Sequence, residues 1–133
     1  MVNRQDLIDR AGRWFDTGEF RAVLRARVAH RTDSQERDSV PRLGRYLDAE
    51  IGPSLTRLGF TWRLIDNPVA GFGPFLLGER HEAPGLPTLF TYGHGDVVRG
   101  DDARWRAGLA PWELTIEGDR WYGRGTADNK GQH

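Results

Sequence analysis

The sequence contains no cysteine and a single lysine, Lys130. Without cysteine the chain forms neither disulfide bonds nor thiolate metal sites, so any metal ion it binds needs histidine and carboxylate ligands. No stretch approaches the roughly 18 apolar residues of a membrane-spanning helix, and the opening MVNRQDLIDR lacks the basic-then-apolar order of a secretory signal. These absences predict a cytoplasmic protein that makes no use of a membrane.

The chain also has no excess of either charge, because 19 basic residues balance 19 acidic ones. A nucleic-acid-binding protein usually carries a basic surface, so this balance argues against that class. The length of 133 residues and an apolar share of 38% are typical of one globular domain. We therefore predict a single domain spanning residues 1–133.

The first half of the chain carries three helical patterns. Apolar residues recur at helical spacing from about residue 5 to 16, where Asn3 can cap the amino terminus, and again from Phe20 to about Arg27. A third stripe, capped by Ser39, spans about 40–58, and Pro53 should kink or interrupt this helix near Ile51.

Strand patterns follow Gly59. FTWRLID alternates apolar and polar residues, and FLLGER after a turn predicts a second strand. TLFTYGH (88–94) is a short apolar and β-branched run, which predicts a strand buried on both faces of a helix-covered sheet. ELTIEGDRWYGRG predicts a hairpin that turns at Gly118-Asp119, after an excursion at 97–113 that Trp105 and Trp112 should pack down.

His94 and Asp96 follow the predicted buried strand, at the edge where functional groups of open α/β sheets gather. Residues two apart on an extended segment project to the same side, so the Asp96 carboxylate can hold the His94 ring in the orientation that a metal requires. An isolated H-x-D triplet is more often structural, and Asp128 in its glycine-rich turn can simply hydrogen-bond its own backbone. The residues alone leave both interpretations open.

The ordered motifs YGHGDVV and EGDRWYGRGTADNKG together resemble the co-catalytic zinc peptidase family, which includes aminoacylases, carnosinases, glutamate carboxypeptidases, acetylornithine deacetylases and succinyl-diaminopimelate desuccinylases. This resemblance covers roughly the last forty residues. It implies an α/β fold, a helix-covered mixed sheet that forms the amino-terminal part of a zinc-peptidase catalytic domain. It also implies a hydrolase that cleaves amide bonds of small peptides or N-acyl amino acids, as a carboxypeptidase or deacylase does.

The resemblance assigns a role to each motif residue. His94 resembles a terminal zinc ligand, Asp96 the catalytic-site carboxylate that steadies its ring, and Asp128 the carboxylate that bridges two zinc ions, in whose place cobalt or manganese can also serve. Arg124 and Lys130 are expected to form structural ion pairs rather than to contact substrate.

The family's general base is a Glu of an adjacent acidic pair, and this sequence has no Glu-Glu pair. The remaining ligands and the lid domain are expected to be absent, so we predict a fragment that is inactive alone and that associates through uncovered apolar surface, with homo-oligomers as one outcome. Substitutes from within the chain are not expected to rescue the site: Glu79, Glu82, Asp101, Asp102 or His133. The alternative is a non-enzymatic remnant or interaction module that keeps part of the fold.

Overall fold

A computed structural model describes residues 3–133. The first helix, α1 (Arg4–Asp16), begins at a reciprocal cap, in which Asn3 Oδ1 accepts a hydrogen bond from the Asp6 amide and the Asp6 carboxylate accepts one from the Asn3 amide. Helix α2 (Glu19–Ala29) follows directly and packs against α1. Both helices lie where the periodicity of the sequence predicts them.

The third predicted helix is divided into three segments. Helix α3 spans Ser39–Tyr46, a π-helical turn spans Leu47–Ile51, and α4 spans Gly52–Arg57. Asp38, not Ser39, occupies the cap position of α3. Pro53 lies in the first turn of α4, where its missing amide hydrogen is tolerated, so the predicted interruption is found as a π-helical turn immediately before it.

Four short strands form two antiparallel hairpins. Strand β1 (Thr61–Ile65) pairs with β2 (Phe75–Glu79), with Arg63 opposite Leu77. Strand β3 (Thr115–Glu117) pairs with β4 (Arg120–Tyr122) across the Gly118-Asp119 turn. Gly118 has a positive φ of 57°, which a tight hairpin turn requires. All four strands agree with the sequence prediction.

The predicted buried strand at 88–94 is wrong for this chain. Residues 88–94 contain no regular strand, and the side chains of Leu89 and Phe90 are 87% and 84% exposed. A strand buried on both faces needs neighbouring strands and covering helices, and among residues 3–133 nothing pairs with this segment.

The core lies where α2 meets the second hairpin. Leu24 and Val28 of α2 pack with Leu114, and Phe20 and Trp121 cover this cluster. The sequence predicts apolar faces on α1 and α2. An aromatic stack joins these faces to β4, and the ring centroids of Phe15 and Trp121 in this stack lie 5.4 Å apart. The core thereby fixes the hairpin that leads into the GRGTADNK turn (residues 123–130).

Trp105 and Trp112 hold down the excursion at 97–113, as predicted. Trp105 Nε1 donates to the Gly100 carbonyl at 2.8 Å, and the Arg124 guanidinium lies over the Trp105 ring. No helix in residues 3–133 is long and apolar enough to cross a membrane.

Candidate metal centre

A backbone pairing between distant segments positions His94 and Asp96. The Val97 amide donates to the Thr32 carbonyl at 2.9 Å, and the Ser34 amide donates to the Val97 carbonyl at 3.2 Å. Val97 and Thr32 are both buried. This short parallel bridge fixes the end of the HGD loop (residues 94–96) on the segment that follows α2.

The His94 ring is held at both nitrogens. Its Nδ1 lies 3.0 Å from the backbone carbonyl of Asp96 and 3.2 Å from the Asp96 carboxylate. Both of those oxygens accept hydrogen bonds, so Nδ1 carries the proton and the neutral ring presents a lone pair at Nε2. The Asp96 carboxylate is fixed in turn by Ser34, whose Oγ donates to Oδ2 at 2.8 Å.

His94 Nε2 faces Oδ1 of Asp128 at 3.0 Å. When Nδ1 is protonated, both facing atoms carry lone pairs, so a cation must lie between them or the ring must take a second proton. Burial of the ring lowers the pKa of His94, but hydrogen bonds to the Asp96 backbone and to the Asp128 carboxylate outweigh it and raise the pKa above 6.5. The pair therefore attracts positive charge.

The geometry of this pair fits two ligands of one metal ion. Zinc binds imidazole nitrogen and carboxylate oxygen at about 2.0–2.2 Å in tetrahedral geometry, which places two such ligand atoms about 3.3–3.6 Å apart. The observed 3.0 Å is shorter than that separation, so the exposed Asp128 side chain would move by a few tenths of an ångström to admit the ion. The Asp128 side chain is 80% exposed, so its second oxygen is open to further contacts.

The His94–Asp128 pair lies in an open cleft of about 410 Å³ between the HGD loop and the GRGTADNK turn. Gly125 has a φ of 87°, and a Cβ on it would lie 2.9 Å from the Val97 side chain. This position therefore requires glycine for the turn to approach the HGD loop. The Asp128-Asn129 peptide bond is cis.

The structure brings His94, Asp96 and Asp128 together, and their roles stay predictions. Among the residues of the described chain, 3–133, no group of three or more His, Cys, Asp or Glu side chains converges on one metal position. The cleft walls contain Ser34 and Gln35 but neither Glu79 nor Glu82. Asp101 and Asp102 border a different cleft, and Asp102 pairs with Arg31 at 3.0 Å.

Lys130 and Arg124 have structural contacts, although neither forms the expected ion pair. Lys130 is fully buried, donates from Nζ to the His30 carbonyl at 2.7 Å, and lies over the Tyr46 ring. Arg124 donates to the Gly100 carbonyl at 3.0 Å. Backbone carbonyls and aromatic rings take the place of carboxylate partners.

Sequence reasoning missed Ser34, Tyr46 and Asn129 as supports of the site. Asn129 Oδ1 accepts a hydrogen bond from the His94 amide at 3.2 Å. Ser34 and Tyr46 lie 62 and 87 positions from the side chains they bind, Asp96 and His133. No local pattern reports contacts over such separations, although Asn129 follows Asp128 directly and could have been considered.

Comparison with known proteins finds a family match for the segment that contains both motifs. The model of peptidase family M20/M25/M40 matches residues 90–133. The fold is similar to the crystal structure of human carnosine dipeptidase 1, with a TM-score of 0.76 and 29% identity over 89% of this chain and 27% of that one.

The di-peptidase Dug1p from Saccharomyces cerevisiae shares the fold, with a TM-score of 0.70 and 19% identity over 86% of this chain and 26% of that one. The chain thus spans about a quarter of the length of the two dipeptidases. The mixed α/β fold of the chain therefore matches part of each dipeptidase.

Proposed function

We propose that this chain is an amino-terminal portion of an enzyme of peptidase family M20/M25/M40 and that it supplies the His94–Asp128 half of a zinc site that hydrolyses peptide bonds. The observation that carries this proposal is the 3.0 Å approach of His94 Nε2 to Asp128 Oδ1 in an open cleft. The family assignment does not favour the alternative of a non-enzymatic remnant.

Each of the nearby side chains has a distinct task in this proposal. His94 and Asp128 would hold the metal, Asp96 keeps Nδ1 protonated so that the Nε2 lone pair is available to an ion, and Ser34 holds Asp96 in place. When bound, the metal lowers the pKa of a coordinated water and polarises the scissile carbonyl. Asp128, with one oxygen towards His94 and the other exposed, has the chemistry to bridge a second ion.

Hydrolysis also needs a base that accepts a proton from the water and returns it to the leaving amine. The side chains that border the cleft in residues 3–133 include only two carboxylates, Asp96 and Asp128. Asp128 is assigned to the metal and Asp96 to the His94 ring, so we propose that the base comes from a residue outside this chain. The 133 residues alone are then expected not to hydrolyse a dipeptide.

The substrate class proposed for the complete enzyme is a small peptide, for which the similarity to carnosine dipeptidase 1 is the support. An N-acyl amino acid is the second candidate, because it presents the same amide bond. A cytoplasmic location and homo-oligomer formation stay sequence predictions.

Isothermal titration of the 133-residue chain with zinc tests the proposal. We expect binding at a site that His94→Ala and Asp128→Ala each weaken at least tenfold, since each substitution removes one of two ligands. His81→Ala is the matched control, because His81 is exposed and lies outside the cleft. Equal affinity in all four proteins would contradict the assignment.

A further inference from the structure

The two glycines that flank His94 are in contact with side chains far away in the sequence. A Cβ built on Gly95 would lie 2.6 Å from Cε1 of the Tyr46 ring. A Cβ built on Gly93 would lie 3.3 Å from Asn129 Oδ1 and 3.4 Å from His133 Cβ. Tyr46, Asn129 and His133 therefore occupy the space on both sides of His94, and the G-H-G pattern is what lets the loop approach them.

These three side chains form one chain of hydrogen bonds. Tyr46 Oη lies 2.7 Å from His133 Nε2, and His133 Nδ1 lies 3.0 Å from Asn129 Oδ1. The same Asn129 oxygen accepts the His94 amide at 3.2 Å. The series thus leads from the buried face of α3 to the backbone of His94.

The direction of each hydrogen bond follows from donor chemistry. A carboxamide oxygen only accepts, so His133 Nδ1 must donate to Asn129, and in the neutral ring Nε2 then accepts from the Tyr46 hydroxyl. Burial, followed by the positive charges of Arg27, His94 and Lys130, lowers the pKa of His133 to about 4, which keeps the ring neutral. The arrangement has one donor pattern, from Tyr46 through His133 to Asn129.

Tyr46 anchors this series in the interior of the protein. Tyr46 is fully buried at the end of α3, with Lys130 Nζ 5.1 Å from its ring centre and the His30 ring packed edge-on. Asn129 directly follows Asp128 in the chain. A single side chain, Asn129, therefore links the loop of one proposed ligand to the turn of the other.

We propose that Tyr46, His133 and Asn129 are positioning residues that fix the His94 backbone so that Nε2 meets Asp128. This inference rests on the proposed metal site, in which both ligands must be in place before the ion binds. The series acts through the His94 amide and has no contact with the metal. Its loss is expected to loosen the His94 loop while leaving both ligands in the chain.

The experiment is nuclear magnetic resonance of the metal-free, ¹⁵N-labelled 133-residue chain. Tyr46→Phe removes the donor to His133, and Asn129→Ala removes the acceptor of the His94 amide. We expect both variants to move the His94 amide signal and the His133 ring signals, because each removes a direct partner of the His133 ring. Tyr92→Phe is the matched control, since it removes an exposed hydroxyl from the same loop and should move neither signal.

A conservative variant separates positioning from general stability. Asn129→Asp keeps an oxygen acceptor at the same place, so the His94 amide signal should stay near its wild-type position. Asn129 is only half-buried, so its variants provide the test if Tyr46→Phe unfolds the chain. An unmoved His94 amide in Asn129→Ala overturns the inference.

Zinc titration of the same samples distinguishes the inference from the proposed function. Tyr46→Phe and Asn129→Ala are expected to bind zinc about tenfold or more weakly, the usual loss when a group behind a metal ligand is removed. If the variants move the His94 amide signal as expected but zinc leaves the His94 ring signals of the wild-type chain unmoved, the proposed metal site is wrong. The positioning role of Tyr46, His133 and Asn129 then stands. If zinc binds equally well to all variants, the positioning series is wrong.

Discussion

The edge of the Tyr46 ring lies against the backbone of Gly95, so closely that a Cβ at position 95 would be 2.6 Å from ring atom Cε1. The ring is fully buried at the end of α3, with the HGD loop against its edge. Either the ring or the loop must therefore move when residue 95 gains a side chain. The fit of these residues ties helix packing to the position of His94.

Gly95→Ala is expected to lower the free energy of unfolding by about 1–3 kcal/mol, the usual cost of overpacking. Urea unfolding followed by circular dichroism measures this. Gly12→Ala is the matched control, because a Cβ at residue 12 of α1 meets no atom within 4 Å. Alanine in that helix interior should stabilise the chain by roughly 0.5–1 kcal/mol. Equal effects of the two substitutions would contradict the packing at Gly95.

The stability of the chain should decrease as pH falls from 6.5 to 4 because of His133. The pKa of His133 is lowered to about 4 in the folded chain, so within this window the unfolded chain binds a proton that the folded chain does not. Stability therefore rises with pH across the window and is lost as pH falls through it, by on the order of 1–3 kcal/mol. His133→Gln should remove this part of the pH dependence.

The comparison of wild type and His133→Gln isolates the contribution of this histidine, because the two proteins differ at that residue alone. The raised pKa of His94 acts in another window: above pH 6.5 the folded chain holds the extra proton, so that contribution decreases as pH rises. Parallel pH profiles of the two proteins between pH 4 and 6.5 would show that His133 is not buried in its neutral form.

The exposed apolar run at Leu89 and Phe90 should cause self-association. Both side chains are more than four-fifths exposed, and Leu86 and Tyr92 nearby in the sequence are exposed as well. Exposed apolar groups at such density mark interaction or aggregation sites. Phe90→Glu is expected to lower the apparent mass in light scattering at high concentration without changing the circular dichroism spectrum. Val69→Glu, at an exposed valine outside the run, should have little effect, and the opposite ranking would locate association elsewhere.

The sequence predicted the local elements well, because each depended on a local pattern. The stripe of α1, the cap at Asn3 and the hairpin turn at Gly118 are determined by neighbouring residues, and all three are found. The interruption before Pro53 was predicted, but its π-helical form was not, since the missing donor of proline allows several ways of ending a helix. The local sequence therefore restricts how the helix can be interrupted at Pro53 without determining which form the interruption takes.

The strand at 88–94 was wrong because a strand is defined by its partner, and periodicity contains no information about partners. The proximity of His94 and Asp96 could be predicted from their spacing, and that of Asp128 only from the family resemblance. The supports Ser34 and Tyr46 depend on contacts between distant segments, which a single sequence does not reveal. The site was therefore predictable at its proposed ligands and not at the groups that hold them.

The most direct test of the central claim is the ¹⁵N chemical shift of the His94 ring nitrogens during zinc titration near neutral pH. We expect Nε2 to shift on binding while Nδ1 keeps its proton on the Asp96 carbonyl, and we expect Asp128→Ala to abolish the change at the same zinc concentration. A zinc-induced shift at Nδ1, or an unchanged response in Asp128→Ala, would contradict the assignment of His94 and Asp128 as joint ligands.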